Sequence, residues 1–380
     1  MPEPAPRTPT NPADVRNAID AVTQRYVNGP TSVPGAAVAV VDLRSPNLAA
    51  GYASCAGRSD LRTDEPVTAS TPFPIGSVTK LFTSLLTALS VVQGRASLSD
   101  SVSDYLHLDP PIASVAGLHR VTLLELATHT SGMEDLAGGV SVELFDDEPA
   151  SARLVDYWRS YAPPPDLPAC WCYSNRGFVT LGFAVSGLFG MTGNAYNTLL
   201  ADEVTAPLGL QSTTAHPAVP YATGYVWQDQ TNQPTDTIPA DLKSTASDMI
   251  TFLRATLADP SLPLPTELAD ALLLIRADHG SYPICHSTHD MLMGLGWQQP
   301  LIGGGSGPTR MLYKNGEVPG YSCALEVVPT QGIGVAALTN QSIAPRPSPP
   351  EQPTSPPLHP PQTATQLAGA LRETLRPSRV

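Results

Sequence analysis

The sequence predicts an α+β protein: one antiparallel sheet built from both ends of the chain, flanked by terminal helices, with a mainly helical domain inserted between its halves. Three observations predict it. Strand-like apolar runs occur near the start, at 36–42, and again in the last third, at 310–340. Helical periodicity dominates from about 98 to 253. Amphipathic helical segments lie close to both ends, at 14–27 and 364–375.

The elements follow in chain order. Residues 1–13 are Pro-rich and expected to be irregular. Asp14 is a suitable cap for a helix carrying Val15, Ile19, Val22 and Tyr26 on one face. Pro34-Gly35 leads into a buried strand at 36–42, and 49–56 reads as its hairpin partner. Residues 57–74 read as polar loop. Helices are expected at 121–128, 176–189, 196–208 and 243–257, the first ending at His129-Thr-Ser-Gly132. Strand character returns at 293–298, 310–315, 320–328 and 332–340. Nine of the 17 residues from 345 to 361 are proline, a polyproline-like insert outside the core. These elements imply a sheet domain of 1–76 and 286–380, with 77–285 as the helical domain. No internal repeat is present.

Composition narrows the function. The 380-residue chain is 42% hydrophobic and 6% aromatic, with a net charge of −13. That charge argues against nucleic acid and anionic membrane surfaces as partners. No apolar run approaches the roughly 20 residues of a membrane span, and the opening residues hold no apolar signal-peptide core. The sequence sets no oligomeric state. Five scattered cysteines, Cys55, Cys170, Cys172, Cys285 and Cys323, do not make a disulfide scaffold. They read as small buried hydrophobes, with at most two bridges among them. No His/Cys cluster has zinc spacing, and His286 and His289 sit in a loop-like context, so neither a metal nor another cofactor is expected.

The stretch with the most chemical content is Ser77-Val78-Thr79-Lys80. An apolar run with helical spacing follows it (Leu81, Phe82, Leu85, Leu86, Leu89, Val92), predicting a buried helix over 77–92. Pro72 and Pro74 prevent an earlier start, and Gly94 ends it. Ser77 then lies at the helix N-terminus with Lys80 on the same face, where an amine can reach the hydroxyl. A serine needs a neighbouring base to become a nucleophile, and a desolvated lysine is one solution. Ser-x-x-Lys alone is a weak signal, read as easily as a capping serine and a solvated lysine. Lysine usage shifts the balance. The chain has 18 arginines but only Lys80, Lys243 and Lys314 as lysines. Arginine stays protonated, whereas a lysine can be tuned as a base.

Two further stretches are ambiguous by themselves. Tyr173-Ser174-Asn175 precedes the helix expected at 176–189, and reads as a cleft tyrosine or as a rim tyrosine with an N-capping asparagine. Lys314-Asn315-Gly316-Glu317 follows an apolar strand; its glycine permits close backbone approach of a substrate, or simply makes a turn.

Taken together, the order Ser-x-x-Lys, Tyr-x-Asn, Lys-x-Gly resembles the serine β-lactamase and penicillin-binding protein superfamily. It is most similar to class C β-lactamases and their D-alanyl-D-alanine carboxypeptidase relatives. The stretches 122–132, 295–297 and 332–340 are also similar, so the resemblance spans about 33–340. It implies a β-lactamase/transpeptidase-like fold and a serine hydrolase that works through an acyl-enzyme on a small-molecule or peptide substrate. Ser77 would be the nucleophile. Lys80 and Tyr173 would share general-base work, with positive charge from Lys80 and Lys314 favouring a phenolate between them. Lys314 would also attract a substrate carboxylate. Asn175 would bind a substrate amide. The backbone amides of Ser77 and Glu317 would form an oxyanion hole beside Asn315 and Gly316. The family is usually exported, although no leader is visible here.

Two residues depart from the pattern. Asn315 stands where serine or threonine is usual, and Glu317 where a small residue is common. Negative charge there would oppose carboxylate-bearing β-lactams, implying an acyl-enzyme that forms and hydrolyses slowly. Amide substrates, a D-alanyl peptide or a β-lactam, rank first because Asn175 suits an amide. A carboxylesterase of the same fold, or a penicillin- or peptidoglycan-binding protein without turnover, are the alternatives.

Overall fold

The computed structural model describes residues 12–28, 33–106, 117–133, 152–191, 196–228, 231–235, 241–303, 307–343 and 364–375. Of the irregular start expected over 1–13, residues 1–11 lie outside them, as does the proline insert at 345–361, whereas Pro12 and Ala13 already belong to the first helix.

A six-stranded antiparallel sheet draws on both ends of the chain. Its order is Leu312–Val318, Tyr321–Val328, Ile333–Thr339, Gly35–Asp42, Tyr52–Asp60 and Glu65–Pro66. All eight residues of Gly35–Asp42 are buried, as an Ala- and Val-rich strand covered on both faces should be. Its side chains alternate between faces. Ala36, Val38 and Val40 join Ile19, Leu367 and Leu371 from the helices Pro12–Asn28 and Ala364–Thr374. Ala37, Ala39 and Val41 belong to the larger core, with Phe82, Met249 and Leu253.

That larger core is organised around the helix Thr79–Val92. Every residue from Thr79 to Ser90 is buried, the pattern of a helix that runs through a core and not along a surface. Two of its hydroxyls are satisfied within the helix, Thr87 and Ser90 donating to the Thr83 and Leu86 carbonyls, while Thr83 meets the Tyr196 hydroxyl at 2.6 Å and Thr79 Oγ1 accepts from Leu242 N. The helix packs against Asn175–Leu188 and Thr266–Arg276.

Several expected boundaries move, each for a local reason. The serine lies one turn before the α-helix, in a 3-10 turn over Gly76–Val78. Gly76 has φ +52°, and the Ile75 amide donates to Leu242, so the chain enters sideways from a short strand pair, Phe73–Pro74 with Lys243–Ser244. The same pairing draws Lys243 out of its expected helix, which begins at Ala246 behind the Thr245 cap. The hairpin partner of the first strand is Tyr52–Asp60, because 45–51 is spent on turns. Expected strand 293–298 is a tight reversal: Gly294 N donates to Trp297 O, and Gly296 takes φ +73°. Helix 196–208 contains a π segment, Ala201–Thr205. The cysteines are not five buried hydrophobes. Cys170 and Cys285 form a disulfide, Cys172 is exposed, and only Cys323 is fully buried.

The terminal helix Ala364–Thr374 is fastened by Arg372, which pairs with Glu326 on the sheet while both side chains are nearly buried, at 12% and 6% exposure. Arg372→Ala would leave a carboxylate buried without its partner. The expected loss is about 3 kcal/mol of unfolding free energy, measured by urea denaturation, whereas Arg159→Ala, at an exposed i,i+3 pair, should cost under about 0.5 kcal/mol.

Candidate active site

Three separate parts of the chain meet at Ser77. The first is its own turn. Lys80 is buried, and its Nζ reaches back one helical turn to donate to Ser77 Oγ at 3.1 Å. The second is the segment before the helix Asn175–Leu188. Tyr173 donates its hydroxyl to Ser77 Oγ at 2.5 Å, and Asn175 Oδ1 accepts from Lys80 Nζ at 2.6 Å. The cap of that helix is Ser174, whose Oγ accepts from Gly177 N, which leaves Asn175 to serve the site. The third is the edge strand Leu312–Val318, which brings Lys314. The Nζ atoms of Lys80 and Lys314 lie 5.2 and 5.3 Å from the centre of the Tyr173 ring.

The glycine of Lys-x-Gly has a different use from the one expected. A Cβ on Gly316 would sit 2.0 Å from the Ile75 carbonyl oxygen and 2.8 Å from Ser77 N. On the other side, a Cβ on Gly76 would sit 2.9 Å from Glu317 N. The two glycines let the Ser77 turn lie directly against the edge strand, so a close approach is made by the protein's own backbone. It brings the Ser77 amide up to the strand glycine and the Glu317 amide up to the turn glycine.

The segment carrying Tyr173 is tied down at several points. Trp171 exchanges backbone hydrogen bonds with Pro283 and Cys285, and the Cys170–Cys285 bridge lies alongside. Cys172 N donates to the carbonyl of His129, at the end of the helix Leu123–Ala127.

Charge at the site is unevenly settled. Lys314 is buried, and its Nζ donates to the Asn315 carbonyl at 2.7 Å. Burial first, and then the charge of Lys80, push its pKa well below the usual lysine value. The sequence suggested that Lys314 attracts a substrate carboxylate; in the structure its Nζ is directed to the Asn315 carbonyl. His129 is likewise held well below 6.5, by burial and then by the two lysines. Asp241, which the sequence reading passed over, is a buried carboxyl beside the Leu242–Ile75 contact. Burial raises its pKa, against the pull of Lys80 and Lys243. Glu317 keeps an exposed position on the strand, yet enough protein surrounds its carboxyl to raise its pKa. Asn315 is half-buried beside it. All three lysines of the chain are buried, Lys243 donating to the Ala215 carbonyl. Among the described residues no group of three or more His, Cys, Asp or Glu could hold a metal ion.

A model of the beta-lactamase family matches residues 19–352. The chain belongs to the beta-lactamase family. A beta-lactamase of Pseudomonas fluorescens is 25% identical over 374 residues, covering 87% of this chain and 94% of its own. Among solved structures, a beta-lactamase/D-alanine carboxypeptidase from Pseudomonas syringae has a TM-score of 0.73 at 21% identity, covering 96% of this chain and 100% of that one. A class C beta lactamase from Rhodobacter sphaeroides has a TM-score of 0.64 at 26% identity, covering 87% and 95%. The protein is thus a beta-lactamase-related hydrolase with the fold of the serine enzymes of that family. No described helix in this family member is long and apolar enough to cross a membrane.

The state of Lys314 has a measurable consequence. Its folded pKa lies below the ordinary 10.5, so between the two values the unfolded chain binds more protons, and stability falls as pH falls. Lys314→Met fills similar volume without a charge to desolvate. The variant is expected to be more stable than the wild type at pH 7. Its advantage should shrink as pH approaches 10, by up to about 1.4 kcal/mol per pH unit within that window. Urea unfolding at pH 7, 8.5 and 9.5 measures the trend; a constant difference would show that the amine is not the cause.

Proposed function

We propose that this family member is a serine hydrolase that works through an acyl-enzyme. The observation that carries the reading is the pair of hydrogen bonds on Ser77 Oγ, from Lys80 at 3.1 Å and from Tyr173 at 2.5 Å. Either group, once deprotonated, can take the serine proton as the hydroxyl attacks a carbonyl carbon. Tyr173 also faces the leaving group and returns a proton to it. The amides of Ser77 and Glu317 stabilise the oxyanion. Asn175 and Asn315 line the acyl side, and Gly316 lets the strand meet the Ser77 turn.

The substrate class ranked first is an amide, either a β-lactam or a D-alanyl peptide. The beta-lactamase relatives and the carboxypeptidase neighbour support it. The division into a sheet domain (1–76 and 286–380) and a helical domain (77–285) belongs to the same proposal, since Tyr173 and Asn175 come from one and Lys314 to Glu317 from the other. The test is intact mass after incubation with a labelled penicillin, a fluorophosphonate and a p-nitrophenyl ester. A single adduct is expected, mapping to Ser77 and absent from Ser77→Ala. Adducts that persist in that variant would overturn the mechanism.

A carboxylesterase is the second reading, and specific observations favour it. Asn175 Oδ1 is occupied by Lys80, Lys314 is buried, and Glu317 brings a carboxyl to the site. A neutral ester needs no cation to receive it. Glu317→Ser should raise kcat/KM for nitrocefin, which carries a carboxylate, by several-fold. That corresponds to about 1 kcal/mol after solvent screening. The rate on p-nitrophenyl butyrate should change much less. Equal shifts on both substrates would mean that Glu317 does not select by charge.

A further inference from the structure

We infer that His129 is the positioning residue for Tyr173. The inference rests on the proposed role of the Tyr173 hydroxyl in proton transfer to and from Ser77.

Both backbone amides that flank Tyr173 end on this one residue. Cys172 N donates to the His129 carbonyl at 3.0 Å, and Ser174 N donates to His129 Nδ1 at 3.1 Å. Between those two bonds lies only Tyr173. The imidazole also lies along the phenol, with ring centres 4.6 Å apart, and Phe178 and Trp171 flank it at 4.8 and 6.0 Å. His129 takes φ +60°, a conformation few non-glycine residues adopt. Here it turns the carbonyl and the ring of one residue towards the same passing segment.

The chemistry requires an acceptor. Because Nδ1 receives the Ser174 N–H, the ring carries its proton on Nε2 and is neutral. A doubly protonated ring would set a donor against the Ser174 donor. Two side chains near it oppose a second proton: Lys80 from the nucleophile helix and Lys314 from the edge strand. Burial acts in the same direction. With the amides on both sides fixed, the tyrosine hydroxyl is held 2.5 Å from Ser77 Oγ.

Substitutions separate the acceptor from the ring. His129→Asn keeps an acceptor near the place of Nδ1, and asparagine tolerates positive φ. His129→Phe keeps the ring and loses the acceptor. Turnover of p-nitrophenyl butyrate and the rate of Ser77 labelling by a fluorophosphonate are read for both, with thermal melts to confirm folding. The asparagine variant should stay within about threefold of wild type. The phenylalanine variant should lose about tenfold or more in kcat with KM little changed, the scale of a misplaced reacting group. On a Tyr173→Phe background, His129→Phe should cost less than about twofold more, because the hydroxyl to be placed is gone.

A residue that only packs would give the reverse order, with phenylalanine better than asparagine, and additive losses in the double variant; either result overturns the inference. Should His129→Phe fail to fold, His129→Gln replaces it: the acceptor is displaced by one methylene, and a loss greater than that of His129→Asn is expected. If glutamine serves as well as asparagine, the inference falls. The two levels remain distinguishable. Wild-type rates in Tyr173→Phe would remove the proposed role of the tyrosine and this inference with it. A slow Tyr173→Phe beside an unaffected His129→Phe removes only the inference.

Discussion

The contact on which the site depends is between two stretches of backbone: the turn Gly76–Val78 and the edge strand at Gly316. A single Cβ on that strand glycine would fall 2.0 Å from the Ile75 carbonyl. The approach is possible only with glycine facing the turn, and it fixes the helix Thr79–Val92 relative to the sheet. Everything else at the site is measured from it. Lys80 follows from the helix direction, Lys314 from the strand direction two residues before the glycine, and the amides of Ser77 and Glu317 from the contact itself. The turn is held from its other side as well, by the strand pair Phe73–Pro74 with Lys243–Ser244.

Around that frame the protein buries more basic groups than it can keep charged together. Two amines and an imidazole surround one phenol and one hydroxyl. Like charges in a desolvated site raise each other's cost, so some of them shift towards neutrality. Lys80 has an amide oxygen at 2.6 Å and feels a buried carboxyl, Asp241. Lys314 and His129 are the groups driven towards their neutral forms.

The sheet also illustrates how small side chains serve the arrangement. Gly35–Asp42 is built largely of alanine and valine and is covered on both faces. Terminal helices close one face, with Arg372 and Glu326 fastening the last of them, while the helix Thr79–Val92 and its neighbours close the other. A strand of larger residues would hold those layers further apart.

Much of this was legible in the sequence, for reasons of period and composition. Alternation and apolar runs placed the strands at both ends, and the spacing after Ser77 placed the buried helix. Scarce lysine in a chain that carries nearly all its positive charge on arginine marked Lys80, and Lys314 emerged from the third motif. Boundaries shifted where a tertiary contact outweighed local preference, as when strand pairing with Phe73–Pro74 drew Lys243 out of a helix. Sequence could not show that Gly316 faces the protein's own turn, since that depends on a partner about 240 residues earlier. Nor could it show that Cys170 reaches Cys285, or that His129 receives both amides beside Tyr173, because each needs segments that only folding brings together. The residues of the site were determined by the sequence. Their protonation, orientation and spacing were decided by the tertiary structure, because burial and the neighbours across each contact set how a charge is held and which way a hydroxyl points.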